Sequence, residues 1–285
     1  MSQPIKLSKE TIRKLQLKEL ESLRVFKEFC QKNNLLFYFC GGCCIGTLRH
    51  QGFIPWDDDI DLCIPSKDYH TLISVFEEKY SDRYEIMNAD KDPKYPLSTT
   101  RIMIKGTQFC EEALKDLPLN LGIFLDIYPL ETVSENDQEF RKQARRAWFW
   151  SHLRMLKLVP RPFILNNGWK SRIIKAVTYT AGTIISLLPI SLKTCISQEN
   201  KAKSLHSHEE PKRFAFMCDT NPYKSVWSYD EIFPLKQLDF EGMKVNFPAN
   251  LHEHLTQFYD GDYMQLPPVE QRKNHYPARL DFGRW

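Results

Sequence analysis

Ile12, Leu15, Leu20, Leu23, Phe26 and Phe29 recur at helical spacing, so residues 8 to 33 read as an amphipathic helix with one face for a core. Leu35 to Cys40 is a short apolar run that stops at Gly41-Gly42, which reads as a strand ending in a tight turn; a helix is expected from Cys43 to Gln51. Gly52 and Pro55 punctuate the chain before Asp57-Asp58-Asp59-Ile60-Asp61. There Ile60, Leu62 and Ile64 alternate with Asp59, Asp61 and Cys63, the period of two of a half-buried strand. Residues 67 to 80 read as a helix, and the apolar runs at 84 to 87, 101 to 104 and 123 to 130 as strands. This order predicts an α+β fold, a mixed sheet with helices on one face. Further on, Phe233 to Phe247 reads as strand, turn at Glu241-Gly242 and strand, residues 249 to 259 as a helix, and the tail after Gly261 as irregular. This last part is expected to pack back on the sheet as a lid or substrate wall.

Charge divides the chain where the pattern alone does not. Between Glu139 and Lys175 stand ten Lys or Arg residues and one acid, a local charge of about +9 that leaves about −6 elsewhere. Trp148, Phe149, Trp150, Phe163 and Trp169 lie among these charges, and an uncharged stretch from Ala176 to Leu192 follows. That stretch is marginal as a membrane span, for which ~20 predominantly apolar residues are needed. Basic residues near an anionic leaflet contribute ~1 kcal/mol each and aromatic residues favour the interface, so contact with a membrane surface competes with a helical hairpin packed on the core. The expected division is a catalytic core at 1–134, a basic, aromatic, largely helical insertion at 135–208, and a C-terminal part at 209–285. A net charge of +3, with the basic run confined to one segment and no recognition motif beside it, argues against nucleic acid.

Eight cysteines do not change this picture. The polar N-terminus, Met1 to Lys9, carries no apolar export signal, so a cytoplasmic location and reduced thiols are expected. Cys40, Cys43 and Cys44 supply one C-x-x-C spacing, but neither Cys195 nor Cys218 supplies the second pair that structural zinc needs. Buried apolar thiols are the better reading.

The candidate chemistry lies in the acids. Asp59 and Asp61, two residues apart on a strand, point to one side, and like charges that close repel unless something intervenes. Mg²⁺ removes the conflict, since its usual site is one or two carboxylates plus substrate phosphates. The glycine turn opening a helix offers backbone N–H groups to those phosphates. Asp126, in Gly-Ile-Phe-Leu-Asp-Ile-Tyr-Pro-Leu, is the candidate third carboxylate, because an acid buried alone in an apolar strand is costly. The spacing and closing glutamate of an EF-hand are missing, which excludes that calcium loop.

The stretch from Gly41 to Asp61, Gly-Gly-Cys-Cys-Ile-Gly-Thr-Leu-Arg-His-Gln-Gly-Phe-Ile-Pro-Trp-Asp-Asp-Asp-Ile-Asp, resembles the signature of the LicD family, which includes bacterial cholinephosphotransferases and is related to fukutin and fukutin-related protein. Gly122 to Leu130, Phe247-Pro248 and Tyr259-Asp260-Gly261-Asp262-Tyr263 agree with it, from about residue 20 to 278 with a weaker middle at 135–225. Cys43-Cys44 departs from the Thr or Ser and aliphatic residue of many relatives. The resemblance implies a nucleotidyltransferase-like fold with Asp59, Asp61 and Asp126 as metal ligands and catalytic carboxylates for Mg²⁺, with Mn²⁺ as an alternative. It implies transfer of phosphocholine from CDP-choline, or a similar CDP-alcohol, to a sugar hydroxyl of a cell-surface or lipid-linked glycan, with release of CMP. Substrate contacts are then expected from Gly41, Gly42, Thr47, Arg49, His50, Trp56, Asp57 and Asp58, with Arg101 and Lys105 as further phosphate contacts. For a quaternary ammonium the aromatic residues Trp56, Phe109, Tyr128, Trp227 and Tyr263 are available, none of them singled out. The family's lipid-borne acceptors would place the enzyme on the inner face of the cytoplasmic membrane.

Three other readings share some of these features. A nucleotidyltransferase releasing pyrophosphate would use the same carboxylates and glycines. A metal- or glycan-binding module without catalysis would not need all three acids. A membrane scaffold would account for residues 139 to 192 and leave the acids unexplained.

Overall fold

A computed structural model describes residues 7–162, 169–259, 262–272 and 274–283. Phe163, Asp260, Gly261 and the polar stretch before residue 7 lie outside the described residues. The architecture is α+β. Helix α1 (Lys9–Lys32), capped by the Ser8 side chain at Thr11 N, precedes β1 (Tyr38–Phe39) and α2 (Gly41–His50). Then come β2 (Asp61–Pro65), α3 (Ser66–Tyr80), β3 (Tyr84–Met87), β4 (Thr100–Ile104), β5 (Gln108–Glu111) and β6 (Phe124–Thr132). The sheet runs β1-β2-β6-β4-β3, parallel only between β2 and β6, where Asp61 pairs with Asp126 and Leu62 with Ile127.

The alternation of β1 and β2 sorts their side chains between two cores. Phe39, Leu62 and Ile64 join Leu15, Phe26 and Phe29 of α1 and Leu72 and Phe76 of α3 in the main core. Tyr38, Cys40 and Cys63 face the other way, into a smaller cluster with Phe214, Phe216 and Trp227. Both faces of β2 are therefore covered, a more enclosed strand than the half-buried one its alternation suggested. The strand expected over Leu35 to Cys40 shortens to two residues, and the following helix starts earlier, at Gly41.

The basic segment is helical, as expected: α4 (Asp137–Leu158), α5 (Trp169–Leu187) and α6 (Leu192–Lys203). Asn136 caps α4 by accepting from the N–H groups of Gln138 and Glu139. Small residues, Ala144, Ala147 and Ala202, let α4 and α6 close on Ala215 and Met217. Arg154 is fully buried; its guanidinium donates to Glu199 at 3.0 Å and to the Leu97 carbonyl at 3.2 Å, tying α4 to α6 and to the loop before β4. Among the described residues no single helix is long and apolar enough to cross a membrane, and α5 meets α6 at a bend of 103°.

The C-terminal part adds β7 (Arg213–Ala215) to the end of β6, β8 (Val226–Ser228), the short α7 (Tyr229–Ile232), the hairpin β9 (Lys236–Phe240) and β10 (Met243–Phe247), and α8 (Leu251–Tyr259). The tail is not irregular throughout: β11 (Pro277–Asp281) pairs with β5. That long-range pairing had no local signature, because β5 lies outside the apolar runs that mark the other strands.

His254 on α8 stacks on Trp227, ring centroids 4.5 Å apart, and burial lowers its pKa to about 3. A histidine neutral in the fold and ordinary when unfolded stabilises fully above pH 6.5, and that stability drains away as pH falls toward 3. His254→Phe should flatten the loss of unfolding free energy between pH 7 and pH 5 by ~2 kcal/mol relative to wild type, read from urea melts at both pH values; parallel losses would contradict the assignment.

Candidate active site

Gly41 and Gly42 are the first turn of α2 rather than a turn before it. Gly41 takes φ +55°, and a Cβ there would lie 3.0 Å from Asp61 Oδ2; at Gly42 it would lie 2.3 Å from Asp57 Oδ2. The two glycines thus admit two carboxylates against a helix N-terminus whose amides have no partners within the helix. A substrate phosphate approaching that turn meets the Asp57 carboxylate, and only a cation between them makes both favourable.

The acids form two adjoining groups. Asp61 and Asp126 stand opposite each other on the parallel strands β2 and β6, and Asp61 Oδ1 and Asp126 Oδ1 are buried with no hydrogen-bond partner among the described residues. Asp58, Asp59 and His275 offer ligand atoms within 4.8 Å of one another. The His275 backbone N–H bonds Asp58 at 3.1 Å, as does Nδ1, while Nε2 lies 3.8 Å from Asp59 Oδ2. Burial alone would lower the pKa of His275, but Asp59, Asp58 and Glu111 hold it well above its ordinary value. Burial, then Asp59, Asp126 and Asp57, push Asp61 far above the carboxylate range; burial raises Asp126 to about 6 against the opposing charge of Arg101. Even Glu19, on α1, is raised by burial and by Asp59 and Asp58. Among the described residues, seven acids thus share this region, with Arg101 and His275 as the cations set directly against them. Orphaned carboxylate oxygens in such a field fit a divalent metal, and oxygen donors suit a hard one.

Several expected substrate contacts sit elsewhere. Arg101 is not free for a phosphate: it is buried on β4, bonded to Glu111 at 3.2 Å and 3.7 Å from Asp126 Oδ2, where it offsets the acids. Lys105, past the far end of β4, donates to the Ser81 carbonyl at 2.5 Å and does not line the cleft. The Thr47 hydroxyl is spent on the Cys43 carbonyl at 2.8 Å, inside its own helix. His50 faces Trp56 edge-on, outside the cleft lining. Asp58, by contrast, lines the cleft, although it is buried and its carboxylate accepts from His275.

Arg49, Trp56, Asp57, Asp59, Asp61 and Gly42 do meet, around a cleft of 640 Å³ closed on its far side by Tyr259 and Tyr263. Arg49 donates to the Tyr263 carbonyl at 3.1 Å, and Arg272 lies over the Trp56 ring at 4.3 Å. A second cavity of 570 Å³ on the other side of His275 reaches Arg101, Glu111 and Asp126. A third, of 200 Å³, meets the cleft at Asp61. Of the aromatic candidates, Phe109 is buried in the main core, Trp56 and Tyr263 line the cleft, and Tyr128 and Trp227 line the third cavity. Sequence reasoning missed His275 and Glu111. Glu111 ends β5, which lies outside the apolar runs that mark the other strands, and nothing near His275 marks it.

Residues 34–164 match the LicD/FKTN/FKRP nucleotidyltransferase domain. The chain is 28% identical over 281 residues, 95% of its length and 97% of the relative's, to the lipopolysaccharide cholinephosphotransferase LicD of Haemophilus influenzae. It is also 33% identical over 93 residues to an uncharacterized protein of Rickettsia prowazekii, 29% of this chain and 35% of that one. A second uncharacterized protein, from Rickettsia typhi, is 31% identical over 142 residues, 47% of this chain and 42% of that one.

Because Asp61 is pressed against other acids, Asp61→Asn should raise the melting temperature without added metal by about 2–4 °C, the shift of ~1 kcal/mol in a chain of this size. Mg²⁺ or Mn²⁺ should raise the wild-type melting temperature and leave that of the variant unchanged in thermal shift measurements. A variant that responds to metal as wild type does would remove Asp61 from the ligand set.

Proposed function

We propose that this chain, whose residues 34–164 match the LicD/FKTN/FKRP nucleotidyltransferase domain, is a phosphotransferase that moves phosphocholine from CDP-choline to a sugar hydroxyl of a surface glycan of the lipopolysaccharide type, releasing CMP. The observation that carries this reading is the facing pair Asp61 and Asp126, with an orphaned oxygen on each, beside the glycine-opened end of α2. Phosphoryl transfer asks a protein mainly for positioning and charge neutralisation.

Asp59 and Asp61 would hold the Mg²⁺, or Mn²⁺, with Asp126 facing them. Held there, such an ion would supply neutralising charge to the diphosphate and the departing phosphate. Arg49, Arg272 and Trp56 line or flank the cleft and suit the nucleotide half of the donor, a base stacking on the indole and phosphates meeting the guanidinium groups. The acceptor oxygen attacks the phosphorus of the choline phosphate, the bond from that phosphorus to the bridging oxygen breaks, and CMP leaves with the bonding electrons. Asp126 Oδ1 takes the proton of the attacking hydroxyl; its pKa near 6 suits a base working close to neutrality. Arg101 holds Asp126 in place, and protonated His275 balances Asp59.

In this reading the acceptor is presented at a bilayer, and helix α5 has the surface to meet one. Ile173, Ile174, Val177, Ile184 and Leu187 are exposed on it, beside Arg172 and Lys175, and Arg145 and Arg146 are exposed on α4. Apolar residues flanked by cations match an anionic lipid surface. The protein should sediment with phosphatidylglycerol vesicles and not with phosphatidylcholine vesicles, and Ile174→Glu with Val177→Glu should abolish this. Equal recovery with both lipids, or no effect of the substitutions, would remove the docking face.

The direct test of the activity is CMP release from CDP-choline with Mg²⁺. Wild type should turn over, slowly to water and faster with acceptor glycan, while Asp59→Ala, Asp61→Ala and chelation each lower the rate by roughly 100-fold or more. Turnover of a nucleoside triphosphate to pyrophosphate, with CDP-choline untouched, would instead make it a nucleotidyltransferase.

A further inference from the structure

The cavity of 200 Å³ beside Asp61 differs in kind from the cleft and from the cavity behind His275. Five of its lining residues are aromatic: Tyr128 from β6, Phe216 just after β7, Trp227 from β8, and Phe258 and Tyr259 from the end of α8. Tyr128 and Phe216 meet edge to face at 5.0 Å, and Trp227 is backed by His254 on one side and lies parallel to Phe258, centroids 6.4 Å apart. His254 is neutral by burial, so the rings stand in front of no fixed positive charge. Two carboxylates, Asp61 and Asp219, complete the wall. Asp219 is held in place by Ser225 Oγ at 2.8 Å and the Thr220 N–H at 2.6 Å. Among the described residues, no lysine or arginine lines the cavity.

Aromatic faces with acids behind them and no cation repel phosphate and attract a positive group. A primary ammonium would need acceptors for three N–H donors, whereas a quaternary ammonium needs none and gains from contact with ring faces. At ~30 Å³ for each water-sized group the cavity holds about six or seven heavy atoms, the size of a trimethylammonioethyl group.

We propose that Tyr128, Phe216, Trp227, Phe258 and Tyr259 form the cage for the trimethylammonium group of the donor, with Asp61 at its mouth. This rests on the phosphocholine reading above and adds to it where each part of the donor lies: nucleotide in the cleft, reacting phosphate at Asp61, choline among the rings. The cavity behind His275, on the Asp126 side, is then left for the acceptor.

The test pairs CDP-choline with CMP, which lacks the choline, on the full chain with Mg²⁺. Affinities are read by calorimetry, and the choline methyl protons by NMR. In wild type those methyl resonances should move upfield on binding, because they sit over ring faces. Phe258→Leu and Tyr128→Leu should each weaken CDP-choline binding by roughly 3- to 30-fold, leave CMP affinity unchanged and diminish the upfield shift. Phe258→Tyr, which keeps a ring, should retain the wild-type affinity. The half-buried positions 258 and 128 are chosen because truncating buried Trp227 risks the fold. CDP-choline and CMP affinities that fall together, affinities that do not fall at all, or methyl resonances unmoved in the wild-type complex would overturn the cage. Wild type that releases no CMP from CDP-choline would overturn the phosphocholine reading, and the cage with it; CMP release unaltered in the variants would overturn the cage alone.

Discussion

Much of this structure answers to the mutual repulsion of carboxylates brought together below a protein surface. The parallel register of β2 and β6 sets Asp61 opposite Asp126, and the loop before β2 adds Asp57, Asp58 and Asp59. Left to themselves these groups could not all be charged. The fold responds with two cations from distant parts of the chain. Arg101 comes from the neighbouring strand, secured by Glu111, and His275 from a segment that Asp58 grips through both backbone and ring. The compensation is incomplete, and the oxygens that remain unpartnered define what the site can bind. Crowding so many acids together is costly to the fold, the usual tension between stability and function.

The two-sided burial of β2 turns that tension into a spatial plan. One face of the strand belongs to the main core and provides rigidity; the other carries Asp61 and Cys63 into a region walled by the last third of the chain. Because β6 pairs with β2 in parallel, Asp126 and Tyr128 follow the same alternation as Asp61 and Cys63. Acid and aromatic ring therefore sit two residues apart on the same side of one strand. In the proposed reading, a donor whose phosphates are reached through a cation and whose other end is a quaternary ammonium would find both along that strand. The basic helices are joined to this arrangement by the buried Arg154, which donates to the Leu97 carbonyl before β4, and α4 lends Ser151, His152 and Met155 to the second cavity.

What could be read from residues alone followed local periodicity. The amphipathic α1, the alternation at Ile60 to Ile64 and the acid within the apolar run of β6 each announced themselves within about ten positions, and together they pointed at Asp59, Asp61 and Asp126. The basic segment was set apart by its run of charge rather than by periodicity. The pairing of β5 with β11 was not legible, nor was the partnership of Asp58 with His275, because each joins residues far apart whose local surroundings say nothing about the other. Arg101 shows a subtler failure: its type suggested phosphate, but only the register of β4 against β6 reveals that it already has Asp126 beside it. Charge type is local information, whereas whether a charge is already neutralised is a property of the tertiary structure.

The bond between Asp58 and His275 spans 217 positions, and that separation orders events as the chain folds. Closing so long a loop costs entropy that local helices and hairpins do not face, so contacts of this range gain on it only after shorter ones have formed. The sheet and its helices can assemble with the acids in register while His275 is still elsewhere. Until it arrives the acidic pocket lacks one of its two balancing charges and one of its walls. The centre of the molecule thus matures last, after the scaffold that surrounds it.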